Sequence, residues 1–219
     1  KPILEIARRL SQGESVKDLR NMRGVAYALG ASETLPTEFE SMSVVTLPSF
    51  EKVSSDKYQF AEATKIIHTH TNPFNAAALI QLHDKQAVVV NPPDVPLSQE
   101  QMDRIYDFPY TRKPHPTYQE PIPSHQMIKD SVTIMRGCFG GCTFCSITAH
   151  QGKIIQSRSQ KSVLKELENL GKDKDFSGVV SDIGGPTANM YQMRCTRPEI
   201  EAKCRRQSCV DPTHLGRKQ

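Results

Sequence analysis

The sequence contains no tryptophan, and aromatic residues make up only 6% of its 219 residues. A hydrophobic core must therefore be built mainly from Leu, Ile, Val and Ala. The longest apolar runs, 76–80 and 87–90, are far shorter than the ~20 residues that a membrane-spanning helix needs. The first five residues also lack the apolar stretch of a secretory signal peptide. The sequence thus predicts neither a transmembrane protein nor a membrane partner.

Cysteine is absent from the first 137 residues, and all six cysteines lie in the remainder. A disulfide-stabilised secreted domain would distribute them along a short chain. Clustered cysteines without a signal peptide instead predict metal ligation in a reducing compartment, the cytoplasm. The net charge of +4 is too small to indicate nucleic-acid binding by itself. The basic residues Lys203, Arg205 and Arg206 have no stacking aromatics beside them, so nucleic acid is not favoured as a partner.

Residues 1–108 are predicted to form an α+β region. Apolar residues recur at helical spacing in 3–10, 58–67 and 99–106. Strand-forming runs occupy 25–29, 76–82 and 86–91, and the last two are expected to form a hairpin. Eight of the fifteen prolines lie between residues 91 and 123, where they disfavour regular structure. We therefore predict a proline-rich connector over 109–130.

Residues 131–219 show the order strand, helix, strand. The predicted strands are 131–135 and 177–183, and the helix between them begins after Ser159 and ends at Gly171. This spacing indicates parallel pairing. The predicted fold class is α/β, with the N-terminal α+β region followed by the first βα units of a partial (β/α) barrel. In such folds the chemistry lies at the carboxyl ends of the strands.

Three cysteines follow the first of these strands with the spacing Cys-x3-Cys-x2-Cys: Cys138, Cys142 and Cys145. Three thiolates on a short glycine-containing loop can bind three irons of a [4Fe–4S] cluster and leave the fourth iron open. Two alternatives compete with this interpretation. One is a structural zinc site with His150 as the fourth ligand. The other is a set of ordinary buried thiols.

The motif, with an aromatic residue before its third cysteine, resembles the signature of the radical S-adenosylmethionine (radical SAM) superfamily. The surrounding sequence resembles the YgiQ-like family of uncharacterised radical SAM proteins. The similar segments are 134–142 (IMRGCFGGC), 154–159 (IIQSRS), 181–191 (SDIGGPTANMY), 91–93 (NPP) and 114–116 (PHP). The resemblance covers most of the chain.

This resemblance implies a site for a [4Fe–4S] cluster and S-adenosylmethionine. Cys138, Cys142 and Cys145 would bind the cluster, and its open iron would bind the cofactor. Phe144 would lie near the adenine, and Gly184 and Gly185 would contact the methionine amino group. Ser157 and Arg158 would contact the carboxylate or the ribose. Their alternative is an exposed loop before the helix.

The resemblance also implies a reaction. The reduced cluster would cleave S-adenosylmethionine to methionine and a 5′-deoxyadenosyl radical, which abstracts hydrogen from an unknown substrate. The electron would come from a donor such as flavodoxin or ferredoxin, and no catalytic residue is assigned. The alternative from another class is a non-catalytic iron–sulfur or zinc-binding module.

A second, looser set consists of Cys195, Cys204 and Cys209. We predict an auxiliary metal site there, with reduced structural thiols as the alternative. The length of the C-terminal segment leads to a further expectation about the barrel. At roughly 30 residues per βα unit, residues 131–219 are too few to close a barrel. Together with the absence of an initiator Met, this favours a piece of a longer chain, truncated at its C-terminus.

Overall fold

The computed structural model describes residues 2–210. Within this range the chain forms two compact units, and both are discontinuous in sequence. Unit 1 contains residues 2–96, 139–153 and 195–210, and unit 2 contains residues 97–138 and 154–194. The units differ from the contiguous predicted domains 1–108, 109–130 and 131–219, because two segments of the third domain pack with the N-terminal region. The end of that domain, 211–219, lies outside the described residues.

Unit 1 is built on a sheet of five strands with two helices between its third and fourth strands. Its elements, in chain order, are α1 (Pro2–Ser11), a 3₁₀ helix (Val16–Asn21), β1 (Ala26–Leu29), β2 (Glu38–Phe39), β3 (Met42–Thr46), α2 (Phe50–Ser55), α3 (Lys57–Thr69), β4 (Ala78–His83) and β5 (Gln86–Val90). The strand order is β1-β5-β4-β3-β2, in which β3 and β4 are parallel and the other pairs antiparallel.

The centre of this sheet holds the core of unit 1. Leu29, Ile80, Ala87 and Val89 are buried together, and Tyr27 and Val44 pack beside them. Burying one such aliphatic side chain stabilises a fold by ~1.5–3 kcal/mol. The predicted hairpin is confirmed as β4 and β5. The sequence did not predict β2, β3 or α2, since their short polar-rich segments carry little periodicity.

Unit 2 contains the predicted strand–helix–strand segment and the chain that leads into it. Its elements are α4 (Gln99–Tyr106), α5 (Pro123–Ile128), β6 (Ser131–Thr133), β7 (Met135–Arg136), β8 (Gln156–Ser157), α7 (Gln160–Leu170) and β9 (Asp182–Gly184), while α6 (Ile147–Gln151) and α8 (Pro198–Glu201) belong to unit 1. The predicted parallel pairing is confirmed, because β6 and β9 pair in parallel. The predicted cap of α7 at Ser159 is also confirmed.

Three local predictions were wrong in detail. The first strand divides at Ile134, whose N–H donates to Gly184 of β9 while its carbonyl accepts from Arg158, so the chain changes partner there. The second strand begins at Asp182 rather than at residue 177, and the left-handed φ of 82° at Gly178 interrupts extended backbone inside the predicted strand. The connector contains the helix α5, which Pro123 begins; proline is well tolerated at a helix start.

These elements establish a mixed α/β structure, and the partial barrel stays a prediction. Among residues 2–210, no helix combines the length and the apolar character that crossing a membrane requires.

His70 ends α3 in unit 1 and joins it to the last segment of that unit. Its Nδ1 accepts a hydrogen bond of 2.9 Å from the Ala77 backbone N–H, and a guanidinium nitrogen of Arg205 lies 3.4 Å from the same atom. Burial lowers the pKa of His70 below its ordinary value, and the charge of Arg205 lowers it further. The folded protein therefore favours the neutral imidazole.

We predict that acidification destabilises the fold through His70. In the unfolded chain this residue titrates near pH 6.5, so below that pH the unfolded state takes up a proton that the folded state resists. The free energy of unfolding should fall as the pH drops from about 7.5 to about 5.5. In His70→Asn, Oδ1 can still accept from Ala77 but does not titrate. Urea unfolding should show a weaker pH dependence for this variant, and an unchanged dependence would contradict the prediction.

Candidate functional site

The cysteine loop begins where β7 ends at Arg136. Gly137 and Gly141 have φ values of 93° and 61°, a conformation that glycine adopts without steric cost. The Cys145 backbone N–H donates to the Cys142 carbonyl over 3.0 Å, which closes a tight turn between these two cysteines. Within unit 1, Cys142 is exposed and Cys145 is partly buried. The loop thus presents two thiols on one short turn.

Cys138 belongs to unit 2, where only 5% of the residue is exposed. The Thr187 hydroxyl donates a hydrogen bond to its Sγ over 3.3 Å. Thr187 follows β9 by three residues, so this contact lies beyond the carboxyl end of that strand. A hydrogen bond to a ligating sulfur is one of the factors that set the reduction potential of an iron–sulfur cluster.

The chemistry of the donors fits an iron–sulfur cluster. None of the six cysteines, all of which lie in the described range, forms a disulfide, and thiolates are the ligands that such clusters use. In residues 2–210, however, no three His, Cys, Asp or Glu side chains are gathered closely enough to hold a metal ion. The assignment of Cys138, Cys142 and Cys145 therefore rests on donor type and on spacing along the chain, and it stays a prediction.

The glycine pair lies where β9 ends. The Gly184 carbonyl accepts from the Ile134 N–H over 2.8 Å, which leaves it one lone pair. A Cβ at Gly185 would lie 2.7 Å from the Cγ of Met135, a fully buried side chain. Close packing inside unit 2 therefore explains Gly185 without a ligand, and the predicted contacts with S-adenosylmethionine stay predictions.

Ser157 and Arg158 are tied to the segment that follows β9. The Ser157 hydroxyl accepts from the Gln192 N–H over 2.9 Å, and the Tyr191 hydroxyl donates to the Arg158 carbonyl over 2.9 Å. The Tyr191 N–H in turn donates to Asn189 over 3.0 Å. These bonds hold residues 189–192 against β8.

The Arg158 side chain is completely buried in unit 2. Its guanidinium donates to the Thr133 carbonyl over 2.8 Å, to the Ser162 carbonyl over 2.9 Å and to the carboxylate of Glu166. It also lies 4.2 Å from the centre of the Tyr106 ring, within cation–π range. These contacts give Arg158 a structural role, and none of them supports its predicted contact with the cofactor.

The remaining predicted residues lie in unit 1. Phe144 is 91% exposed, and its predicted position beside an adenine stays a prediction. Among Cys195, Cys204 and Cys209, the first two each interact electrostatically with the third. Loss of hydration raises the pKa of the Cys209 thiol; the charge of Lys153 opposes this shift, and the Cys204 and Cys195 thiols add to it. The auxiliary metal site predicted for these three also stays a prediction.

Sequence reasoning missed three residues that contact the candidate site residues. Thr187 lies within the family-like run 181–191 but received no role, although it contacts Cys138. Lys153 places its ammonium 3.7 Å from the Cys204 Sγ, and Tyr106 stacks on Arg158. Only Thr187 could have been singled out, because its run had already been recognised. The other two contacts join residues about fifty positions apart.

Comparison with known proteins adds to this geometry. A model of the radical SAM N-terminal family matches residues 1–131. A UPF0313 protein of Bradyrhizobium diazoefficiens is 47% identical over 226 aligned residues, which cover 96% of this chain and 34% of that protein. A UPF0313 protein of Pseudomonas putida is 55% identical over 180 residues, which cover 81% of this chain and 23% of that protein.

The chain belongs to the YgiQ-like (UPF0313) family of radical SAM proteins. A further member, from Geobacter sulfurreducens, is 46% identical over 213 residues, which cover 97% of this chain and 34% of that protein. The YgiQ-like chain thus spans about a third or less of the length of these relatives. No solved structure matches it.

We predict that Arg158→Met lowers the free energy of unfolding by about 2–4 kcal/mol, because the Thr133 and Ser162 carbonyls lose a buried donor and Glu166 keeps only its ion pair with Arg112. Arg158→Lys should also destabilise the fold, since an ammonium cannot reproduce the guanidinium fork. Thermal unfolding measures both effects. Lys161→Met, at an exposed position of the same helix, is the control and should change stability by no more than about 0.5 kcal/mol.

The opposite result would restore the predicted cofactor role of Arg158. An Arg158→Met variant with wild-type stability and weakened binding of S-adenosylmethionine would show that the side chain acts on the ligand rather than on the fold.

Proposed function

We propose that this chain is the cluster-binding part of a radical SAM enzyme that cleaves S-adenosylmethionine reductively. The observation that carries the proposal is the cysteine loop, with three cysteines that form no disulfide at Cys-x3-Cys-x2-Cys spacing directly after β7. Membership of the YgiQ-like family supports it, because the cluster and the cofactor are general to radical SAM proteins. The chain spans only part of the length of its relatives, so the reaction of the whole protein is also proposed here rather than shown.

The residues of this chain would bind the cluster and influence its reduction potential. The thiolates of Cys138, Cys142 and Cys145 would ligate three irons, and Gly141 would allow the turn that carries two of them. When bound, the cluster supplies one-electron reduction of S-adenosylmethionine. Thr187 already donates to the Cys138 sulfur, and this bond would stabilise the more negative, reduced state. The low exposure of Cys138 would limit the access of water to that sulfur.

The cofactor would bind beyond the carboxyl end of β9. Support comes from the free lone pair of the Gly184 carbonyl, which can accept from an ammonium group. Gly185, Ser157 and Phe144 complete the proposed contacts, and Arg158 would act through its backbone position rather than through its buried side chain. A reduced flavodoxin or ferredoxin in the cytoplasm would supply the electron.

Iron counting tests the proposal most directly. After anaerobic reconstitution, the 219-residue chain should bind about four irons, or about eight if the auxiliary site also holds a cluster. Replacing Cys138, Cys142 or Cys145 by Ala should abolish the four irons of the first cluster and any release of 5′-deoxyadenosine on reduction with S-adenosylmethionine. The matched control replaces Cys195, Cys204 and Cys209 by Ala, and it should remove at most four irons.

Two results would contradict the proposal. A colourless protein that binds zinc through the loop cysteines would make the chain a structural metal module, with His150 as the candidate fourth ligand. An iron–sulfur protein that does not bind S-adenosylmethionine would make it a non-catalytic iron–sulfur module.

We further predict that Thr187→Val lowers the reduction potential of the cluster by roughly tens of millivolts, because it removes a hydrogen bond to a ligating sulfur. Valine has nearly the same shape, so iron content should not change. Thr143→Val is the control, since Thr143 is exposed on the same loop. Potentiometric titration followed by electron paramagnetic resonance measures the shift, and equal potentials in wild type and Thr187→Val would refute it.

A further inference from the structure

Residues 195–210, which we call the strap, form the last described segment of unit 1. The strap contains only the single-turn helix α8 and has little regular structure of its own. Its position must therefore come from the residues that it contacts, which lie in the sheet region and in the cysteine loop of the same unit.

On one side, the strap is bound by the turn between α3 and β4. Asn72, which is only 3% exposed, donates both amide hydrogens to strap carbonyls, at 2.8 Å to Glu201 and 2.9 Å to Cys204. Its Oδ1 accepts from the Phe74 N–H over 3.1 Å. Both amide hydrogens and the amide oxygen of this side chain are thus engaged, and two of the three bonds hold the strap.

Two further residues strengthen this anchor. The Asn75 amide donates to the Ala202 carbonyl over 2.9 Å, and Arg205 of the strap donates to the Asn75 carbonyl over 2.9 Å. The turn itself is fixed, because the Asn72 carbonyl accepts from the Ala76 N–H over 2.9 Å and Ala76 is fully buried two residues before β4. The strap is therefore attached to the rigid part of unit 1.

On the other side, the strap is bonded to the cysteine loop. The Cys209 N–H donates to the Phe139 carbonyl over 3.0 Å, and the Ser208 hydroxyl donates to the Gly140 carbonyl over 2.6 Å. The Lys153 ammonium donates to the Arg206 carbonyl over 2.5 Å. These bonds hold both ends of the 139–153 segment, which contains Cys142 and Cys145.

Gly141 shows how closely the two segments approach. A Cβ built on Gly141 would lie 2.4 Å from the Gln207 carbonyl oxygen and 2.9 Å from the Ser208 Cβ. Backbone cannot yield as the end of a flexible side chain can, so any other residue at Gly141 would separate loop and strap. Gly152, at the other end of the same segment, also has a positive φ but has no atom within 4 Å of its Cβ position.

We propose that the strap fixes the cysteine loop to the N-terminal sheet region, and that Asn72 is a positioning residue for Cys142 and Cys145. The inference rests on the proposed function, because it gives these two cysteines the role of cluster ligands. A loop that is held before the cluster assembles loses less conformational freedom when it binds. The N-terminal region would then contribute to cluster binding without supplying a ligand.

The first test needs no cluster. Amide hydrogen exchange is measured on the 219-residue chain before reconstitution. Asn72→Ala removes two bonds to the strap and should speed exchange in residues 139–145 by about 10- to 100-fold. Asn21→Ala, an exposed asparagine of the same unit, should leave this exchange unchanged. Unchanged exchange of the loop in a folded Asn72→Ala protein would overturn the inference.

The second test separates the strap from general effects on the fold. Gly141→Ala and Gly152→Ala both place alanine at a positive φ, so both carry backbone strain, and Gly152, with φ 86° and ψ 164°, lies in a region that is essentially restricted to glycine. Only Gly141→Ala collides with the strap. It should speed exchange in residues 204–209 as well as in the loop, whereas Gly152→Ala should leave residues 204–209 protected. Equal exchange of the strap in the two variants would overturn the inference.

The cluster supplies the last readout. After reconstitution, Asn72→Ala should bind several-fold less iron than wild type, or show an altered electron paramagnetic resonance spectrum, while Asn21→Ala matches wild type. If wild type binds no cluster but the exchange results are as expected, the proposed function is wrong, while the attachment of the cysteine loop by the strap is still supported. If wild type binds its cluster and Asn72→Ala matches it in iron content, spectrum and exchange, the inference fails and the proposed function remains.

Discussion

The guanidinium of Arg158 lies without solvent exposure inside unit 2 and contacts the end of β6, the start of α7 and the ring of Tyr106 on α4. A buried charge is costly unless each of its partners is in place. These elements are therefore constrained together, because displacing any of them would leave a desolvated donor or acceptor unpaired. The Arg158 backbone extends this constraint, since its N–H donates to Ile134, where the chain leaves β6 and enters β7.

The position of Cys138 in unit 2 depends on the junction between β6 and β7 at Ile134. Beyond Ile134, the short strand β7 pairs with β8, and Cys138 comes two residues after β7 ends. Tyr191 donates to the Arg158 carbonyl, which holds the segment after β9, and Thr187 in the same segment reaches the Cys138 sulfur. The environment of this sulfur is thus set by the same residues that stabilise the unit.

The sequence predicted what depends on local patterns. Helix α4, the cap at Ser159 and the parallel pairing of β6 with β9 follow from periodicity, capping chemistry and spacing, and all three are confirmed. Patterns could not reveal that Arg158 is an internal residue, because a basic residue before a helix is most often exposed. They also could not predict that residues 139–153 and 195–210 pack with the N-terminal region, since this depends on single hydrogen bonds such as those of Asn72.

The bonds that hold the strap also explain why cysteines can lie on it. Asn72 and Lys153 bind backbone carbonyls of the strap, and every residue type offers a carbonyl. Most strap side chains are therefore not needed for attachment. The attachment instead requires particular residues around the strap, above all Asn72 and a residue without a side chain at Gly141. The Cys204 thiol is therefore held in place by its backbone, whose carbonyl accepts from Asn72, while its Sγ lies 3.7 Å from the Lys153 ammonium.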